Sequence, residues 1–157
     1  MTARLHLRHT LATLAYRGSK ALRDVPSSFG GFGAGEGTRT PLEILAHMGD
    51  LMAWALTQAQ GEERWVDAAP TTWAGETARF FDGVAALDAF LASDAPLGQP
   101  EARIFQGAVA DALTHVGQLN LLRRLAGAPI RGENYNRADI RIGRVGPDQS
   151  APRREFD

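Results

Sequence analysis

Residues 40–61 read TPLEILAHMGDLMAWALTQAQG, and this stretch decides the fold. Thr40, Pro41 and Glu43 form a helix start. The threonine side chain can accept an orphan backbone N–H, proline suits the first helical position, and the glutamate can reach back to the cap. Apolar residues recur at helical spacing, and Gly61 provides a left-handed stop. The stretch therefore reads as a capped helix with one apolar face. On that face, a helical wheel sets His47 beside Ile44, Leu51 and Trp54.

Working outward, three more helices are expected. The first spans about Ala3 to Asp24, with Leu7, Leu11, Leu14, Ala15 and Leu22 near helical spacing and Pro26 beyond it. The third runs from about Gly75 to Ala92, with an apolar face of Phe80, Phe81, Val84, Leu87, Phe90 and Leu91. The fourth begins between Glu101 and Ala108 and ends at Gly127, with Pro129 beyond it and Arg123 and Arg124 in a last turn that suits cations. Four helices joined by polar connections imply an all-α fold, an antiparallel four-helix bundle over residues 1–127. The connection SSFGGFGAGEGTRT fits neither GxGxxG nor Gly-Lys-Ser/Thr and follows a helix, so it reads as a mobile loop flanking a pocket, not a phosphate cradle. Residues 128–157 form an extended C-terminal tail packing on the bundle or on a partner subunit. Within it, ADIRIGRV (138–145) alternates like a strand.

The 157 residues suit a single domain, and 44% hydrophobic with 22% charged residues is a globular composition. A net charge of -1 gives no electrostatic basis for a nucleic-acid partner. No apolar run approaches the roughly 20 residues of a membrane span, and the N-terminus lacks a signal-peptide core, so a cytoplasmic location is expected. The chain has no cysteine, which excludes a disulfide framework, a thiolate metal site and a cysteine nucleophile of its own.

The chemistry sits in residues 111–127, DALTHVGQLNLLRRLAG. Taking Asp111 as zero, His115 falls near about 40°, Gln118 near about −20° and Leu122 near about 20°. A carboxylate, an imidazole and an amide thus share a stripe with aliphatic residues, where polar groups need partners. Asp111 and His115, at i and i+4, can hold one ion if a third donor comes from a neighbouring helix, and His47 is the candidate. Two imidazoles and a carboxylate suit Zn, Ni, Fe or Mn, and three protein ligands leave positions open for water or substrate. Gln118 takes a catalytic role in this reading, bonding a metal-bound water or orienting a ligand. The competing reading is an ordinary helix pair and a core histidine in a metal-free hydrogen-bond network.

TPLEILAHMGDLMAWAL together with DALTHVGQLNLLRRLAG resembles the DinB/YfiT-like superfamily of metal-dependent four-helix bundles. The similarity covers about Leu5 to Pro129. His47 matches the family's histidine on the second helix, His115 the last residue of its HxxxH pair, and Gly117-Gln118 the Gly-Gln that often follows. Asp111 stands where the family usually has the first histidine of that pair, so the implied ligand set is two histidines and one aspartate. The resemblance implies a divalent-metal-dependent enzyme, either a thiol S-transferase using a low-molecular-weight thiol or a hydrolase using metal-bound water. It also implies a small-molecule substrate and a homodimer. The alternative is a non-catalytic, stress-associated or small-molecule-binding dimer.

Remaining candidates are given structural roles. His6 and His9 are expected at the surface or rim, and Arg39 and Arg124 at helix ends or in solvent. Trp65 and Trp73 are expected in the core, with Trp54 the best pocket wall beside His47. Asn134, Tyr135 and Arg137 would close the pocket if the tail folds back over it.

Overall fold

The computed structural model describes residues 1–156. Helix α1 spans Ala3–Leu22, α2 Pro41–Gln60 and α3 Trp73–Ala92. The fourth helical run is composite. A short α4 at Glu101–Ile104 passes into a π-helical turn at Phe105–Val109, which leads directly into α5, Ala110–Leu125. Two short strands, β1 (Gly132–Glu133) and β2 (Glu155–Phe156), pair antiparallel with Gly132 opposite Phe156. The described residues are therefore all-α with a minimal ribbon, and no helix among them is long and apolar enough to cross a membrane.

Local chemistry sets the helix ends. In α2 both halves of the capping box are formed. Thr40 Oγ1 accepts from the Glu43 N–H at 3.3 Å, and the Glu43 carboxylate accepts from the Thr40 N–H at 2.7 Å. At the far end Gly61 takes φ 87°, the left-handed turn that glycine adopts without strain. Helix α3 begins two residues before the expected Gly75 because Thr72 caps it, accepting from the Gly75 N–H at 3.1 Å. Arg23 closes α1 one residue before the expected Asp24.

Helix α2 packs against α3 and α5, and α1 packs against the same two. The shared core includes Leu11 and Leu14 of α1, Leu45 and Met52 of α2, Phe80 of α3 and Leu119 of α5, all fully buried. A methyl group on Gly83 would meet Met52 Cβ at 2.7 Å, so the missing side chain permits the close approach of α2 and α3. Polar clamps join the same elements. Arg79 of α3 donates to the Asp50 carboxylate (2.6 Å), to Glu76 (2.7 Å) and to the Ala46 carbonyl (2.6 Å). Buried Arg123 of α5 donates to the carbonyls of Ala21 and Arg23 at the end of α1. It satisfies acceptors that a helix terminus leaves unpaired.

The tail lies along α1. Glu133, buried, accepts from Tyr16 (2.7 Å) and from Lys20 Nζ (3.0 Å), and Lys20 also reaches Glu155 at 2.7 Å. Tyr135 stacks edge-on against Tyr16, with the Arg17 guanidinium 4.1 Å from its ring centroid. No strand forms over residues 138–145, despite their alternation. Gly143 turns with φ 88°, and Asp139 gathers Arg141, Arg144, Ser150 and Arg153 into a charged knot that holds the segment as turns.

Candidate metal centre

His47 leaves α2 near its middle, seven residues beyond the Thr40 cap that sets the helix start. Asp111 and His115 sit in the first two turns of α5, stacked one turn apart. The three side chains converge. Asp111 Oδ2 is 3.4 Å from His47 Nε2, and Asp111 Oδ1 is 3.4 Å from His115 Nε2. The two imidazole rings stand perpendicular with centroids 4.9 Å apart. One ligand atom from each residue lies within 4.8 Å of the others. The cluster could hold a metal ion.

These spacings can be set against two kinds of cluster. A well-formed N–H···O bond measures about 2.7–3.2 Å, so both carboxylate–imidazole contacts are slack as hydrogen bonds. Ligands about 2.1 Å from a shared ion at ordinary coordination angles stand about 3.0–3.4 Å apart. The two carboxylate contacts, each to a different Asp111 oxygen, fall at the upper edge of that range, while the set as a whole is bounded by 4.8 Å and would have to draw in around an ion; it needs no sulfur.

Gln118 bears directly on this geometry. Its Oε1 lies 2.8 Å from His115 Nδ1, so the amide oxygen accepts the Nδ1 proton. That bond fixes the tautomer whose Nε2 lone pair faces Asp111. The stripe is less buried than the helical wheel implies. The His115 side chain is 10% exposed and that of His47 19%, but that of Asp111 is 45% exposed and Gln118 lies at the surface. The stripe marks the border of the core: Ala108 and Leu119 are buried on one flank, while Leu125 on the other is 59% exposed.

An aromatic wall stands behind His47. The Trp65 ring meets His47 edge-on at 5.6 Å and Trp54 edge-on at 5.7 Å. Trp54 in turn lies against Gly107 of the π-helical turn, where a Cβ would sit 3.4 Å from its ring. Trp65 is thus a partner of the site, not a core residue. It lies in a loop without periodicity, and only its aromatic character marked it. Trp73 lies elsewhere, stacked on Phe29 and donating to the Leu22 carbonyl.

On the other side a cleft of about 480 Å³ opens beside His115. The glycine-dense connection supplies Ala34, Thr38 and Arg39, α2 supplies Ile44, and α5 supplies Gln118, Leu121, Leu122 and Leu125. Arg39 and Arg124 are both exposed near helix ends, as expected, and Arg39 also lines the cleft next to the cluster. His6 and His9 on α1 join no group of three ligand side chains among the described residues. Asn134, Tyr135 and Arg137 do not close the cleft. The tail is tied to Tyr16, Arg17 and Lys20 of α1, and none of its residues lines the cleft.

Comparison with family models, with curated proteins and with solved structures finds no match.

Proposed function

We propose that the chain is a divalent-metal-dependent enzyme of the DinB/YfiT-like kind, built as an antiparallel four-helix bundle. His47, Asp111 and His115 are its metal ligands, and its reaction class is thiol S-transfer or hydrolysis. The observation that carries the reading is the convergence of two imidazoles on one carboxylate, each 3.4 Å from an Asp111 oxygen, with one ligand atom from each residue within 4.8 Å of the others. A divalent ion bound there would favour the deprotonated, nucleophilic form of a small-molecule thiol or of water near neutral pH. The chain's lack of cysteine agrees with a thiol that arrives with the cosubstrate.

The protein's own groups divide the remaining work. Gln118 keeps the His115 Nε2 lone pair aimed inward. Trp54 and Trp65 shield the His47 side from solvent, while the partly exposed Asp111 and the adjoining cleft leave a path for substrate.

Metal analysis of protein purified without chelator tests the reading. About one divalent ion per chain is expected in the wild type, with little or none in Asp111→Ala and His115→Ala. Absence of metal in the wild type, with no thermal stabilisation on adding Zn, Ni or Mn, would overturn it.

A further inference from the structure

Arg39 stands out among the residues of the cleft. It forms no hydrogen bond or ion pair among the described residues. Glu43, the carboxylate with which it interacts at longer range, is committed to the Thr40 cap. No acidic residue lines the cleft, whose aliphatic wall is formed by buried Ile44 and Leu122 with the exposed Leu121 and Leu125, and Arg39 is exposed at its edge. A cleft of about 480 Å³ lies within the range that takes a small organic ligand. One unpaired guanidinium over an apolar floor is complementary to a carboxylate joined to a hydrocarbon body.

The order of residues along the helices gives the ligand a direction. On α5 the cleft begins at His115 and continues through Gln118, Leu121 and Leu122 to Leu125, about 15 Å at 1.5 Å per residue. On α2, going backward from His47, it passes Ile44 and reaches Arg39 just before the helix starts, on the order of 10 Å away. His115 and the exposed Arg39 thus line separate parts of one open, mainly aliphatic cleft.

We infer that the cleft binds an amphipathic carboxylate, its carboxylate on Arg39, its aliphatic body against Leu121, Leu122 and Leu125, and its opposite, reacting end at His115. The identity of the reacting end rests on the metal-centre reading above. The carboxylate subsite does not, since Arg39 belongs to no ligand set.

The test uses octanoate and 1-octanol as probes in calorimetric titrations of the full-length protein, as purified and after chelator treatment. In chelator-treated wild type, octanoate is expected to bind at least about tenfold more tightly than 1-octanol, the discrimination of one charge-assisted pair. Arg39→Gln abolishes that preference, and Arg103→Gln, on the exposed side of α4, retains it. Equal binding of the two probes, no binding of octanoate, or an Arg39→Gln variant that keeps the preference would overturn the proposal. A second titration separates this subsite from the metal. With Co(II) added, 8-mercaptooctanoate is expected to produce a thiolate-to-cobalt absorption band at lower concentration than octanethiol. If neither thiol gives a band while the octanoate preference persists, the metal reading and the assigned direction fall and the carboxylate subsite stands. If both thiols give the band at equal concentration, the carboxylate subsite falls and the metal centre stands.

Discussion

The amide oxygen of Gln118 sits 2.8 Å from Nδ1 of His115 and leaves that ring one free nitrogen, which faces Asp111. Partners of this kind orient metal-ligating histidines, and losing one typically costs about 10–100-fold in affinity. Gln118→Ala should therefore weaken Zn binding by about that factor in a chelator competition. Gln118→Glu, which keeps an acceptor, should weaken it less. Equal affinity of Gln118→Ala and wild type would show that the bond does not orient His115 for an ion.

Arg79 holds two carboxylates that are almost fully buried. The side chains of Asp50 and Glu76 are 5% and 2% exposed. Removing the guanidinium strands both, and breaking a buried pair costs about 3–5 kcal/mol. Arg79→Ala should lose about that much stability in urea unfolding. Burial alone would raise the Glu76 pKa, but hydrogen bonds from Thr71 and Arg79 outweigh it and hold it below the ordinary 4.5. A depressed carboxyl pKa stabilises the folded state above the unfolded value, and that contribution is lost as pH falls through the folded one. Wild-type stability should therefore begin to decline below pH 4.5. Glu76→Gln should start less stable and decline less steeply in the same range.

The tail can be tested separately from the His47–Asp111–His115 cluster. Glu133 is the buried acceptor for both Tyr16 and Lys20, so Glu133→Ala leaves two polar groups on α1 without it and should cost about 3 kcal/mol or more. Burial opposes the Lys20 charge, but its bonds to Glu155 and Glu133 outweigh that and raise its pKa above the ordinary 10.5. The contribution is thus complete below pH 10.5 and fades as pH rises through the folded value. Metal content per folded chain should be unchanged in Glu133→Ala. A loss of metal would tie the tail to the cluster.

Thr40 tests the helix start. Thr40→Ala removes the acceptor of the Glu43 N–H and should cost about 1 kcal/mol, a fall in Tm of about 2–4 °C. An unchanged Tm would mean that the α2 start is held by packing alone.

What the sequence revealed follows the range of the forces involved. The α2 start was legible because Thr40, Pro41 and Glu43 solve a local bonding problem within four residues. The same local logic at Thr72 starts α3 two residues ahead of Gly75, where the apolar pattern alone points. Asp111 and His115 can be paired from their spacing, and His47 is offered by its place on the α2 wheel and matched by the family resemblance, but exposure cannot be read. A wheel assigns a face without saying where the core ends, so Asp111 and Gln118 were placed too deep. The alternation over 138–145 misled because Asp139 draws in arginines that a strand would have held apart. Trp65 and the Asp50–Arg79 pair depend on contacts between distant segments, which no local pattern encodes.

The wide turn at Phe105–Val109 stands immediately before Asp111. Such a turn accommodates an additional residue within a helix while the turns on either side keep their faces. Deleting one residue from it should restore a regular helix and leave Asp111 and His115 on the His47 side, whereas deleting a second should rotate both by about 100° away from it. Helix content by circular dichroism should be nearly unchanged in both variants, with any metal uptake kept in the first and lost in the second. The segment thus carries one spare codon, and only the next loss would part the three side chains.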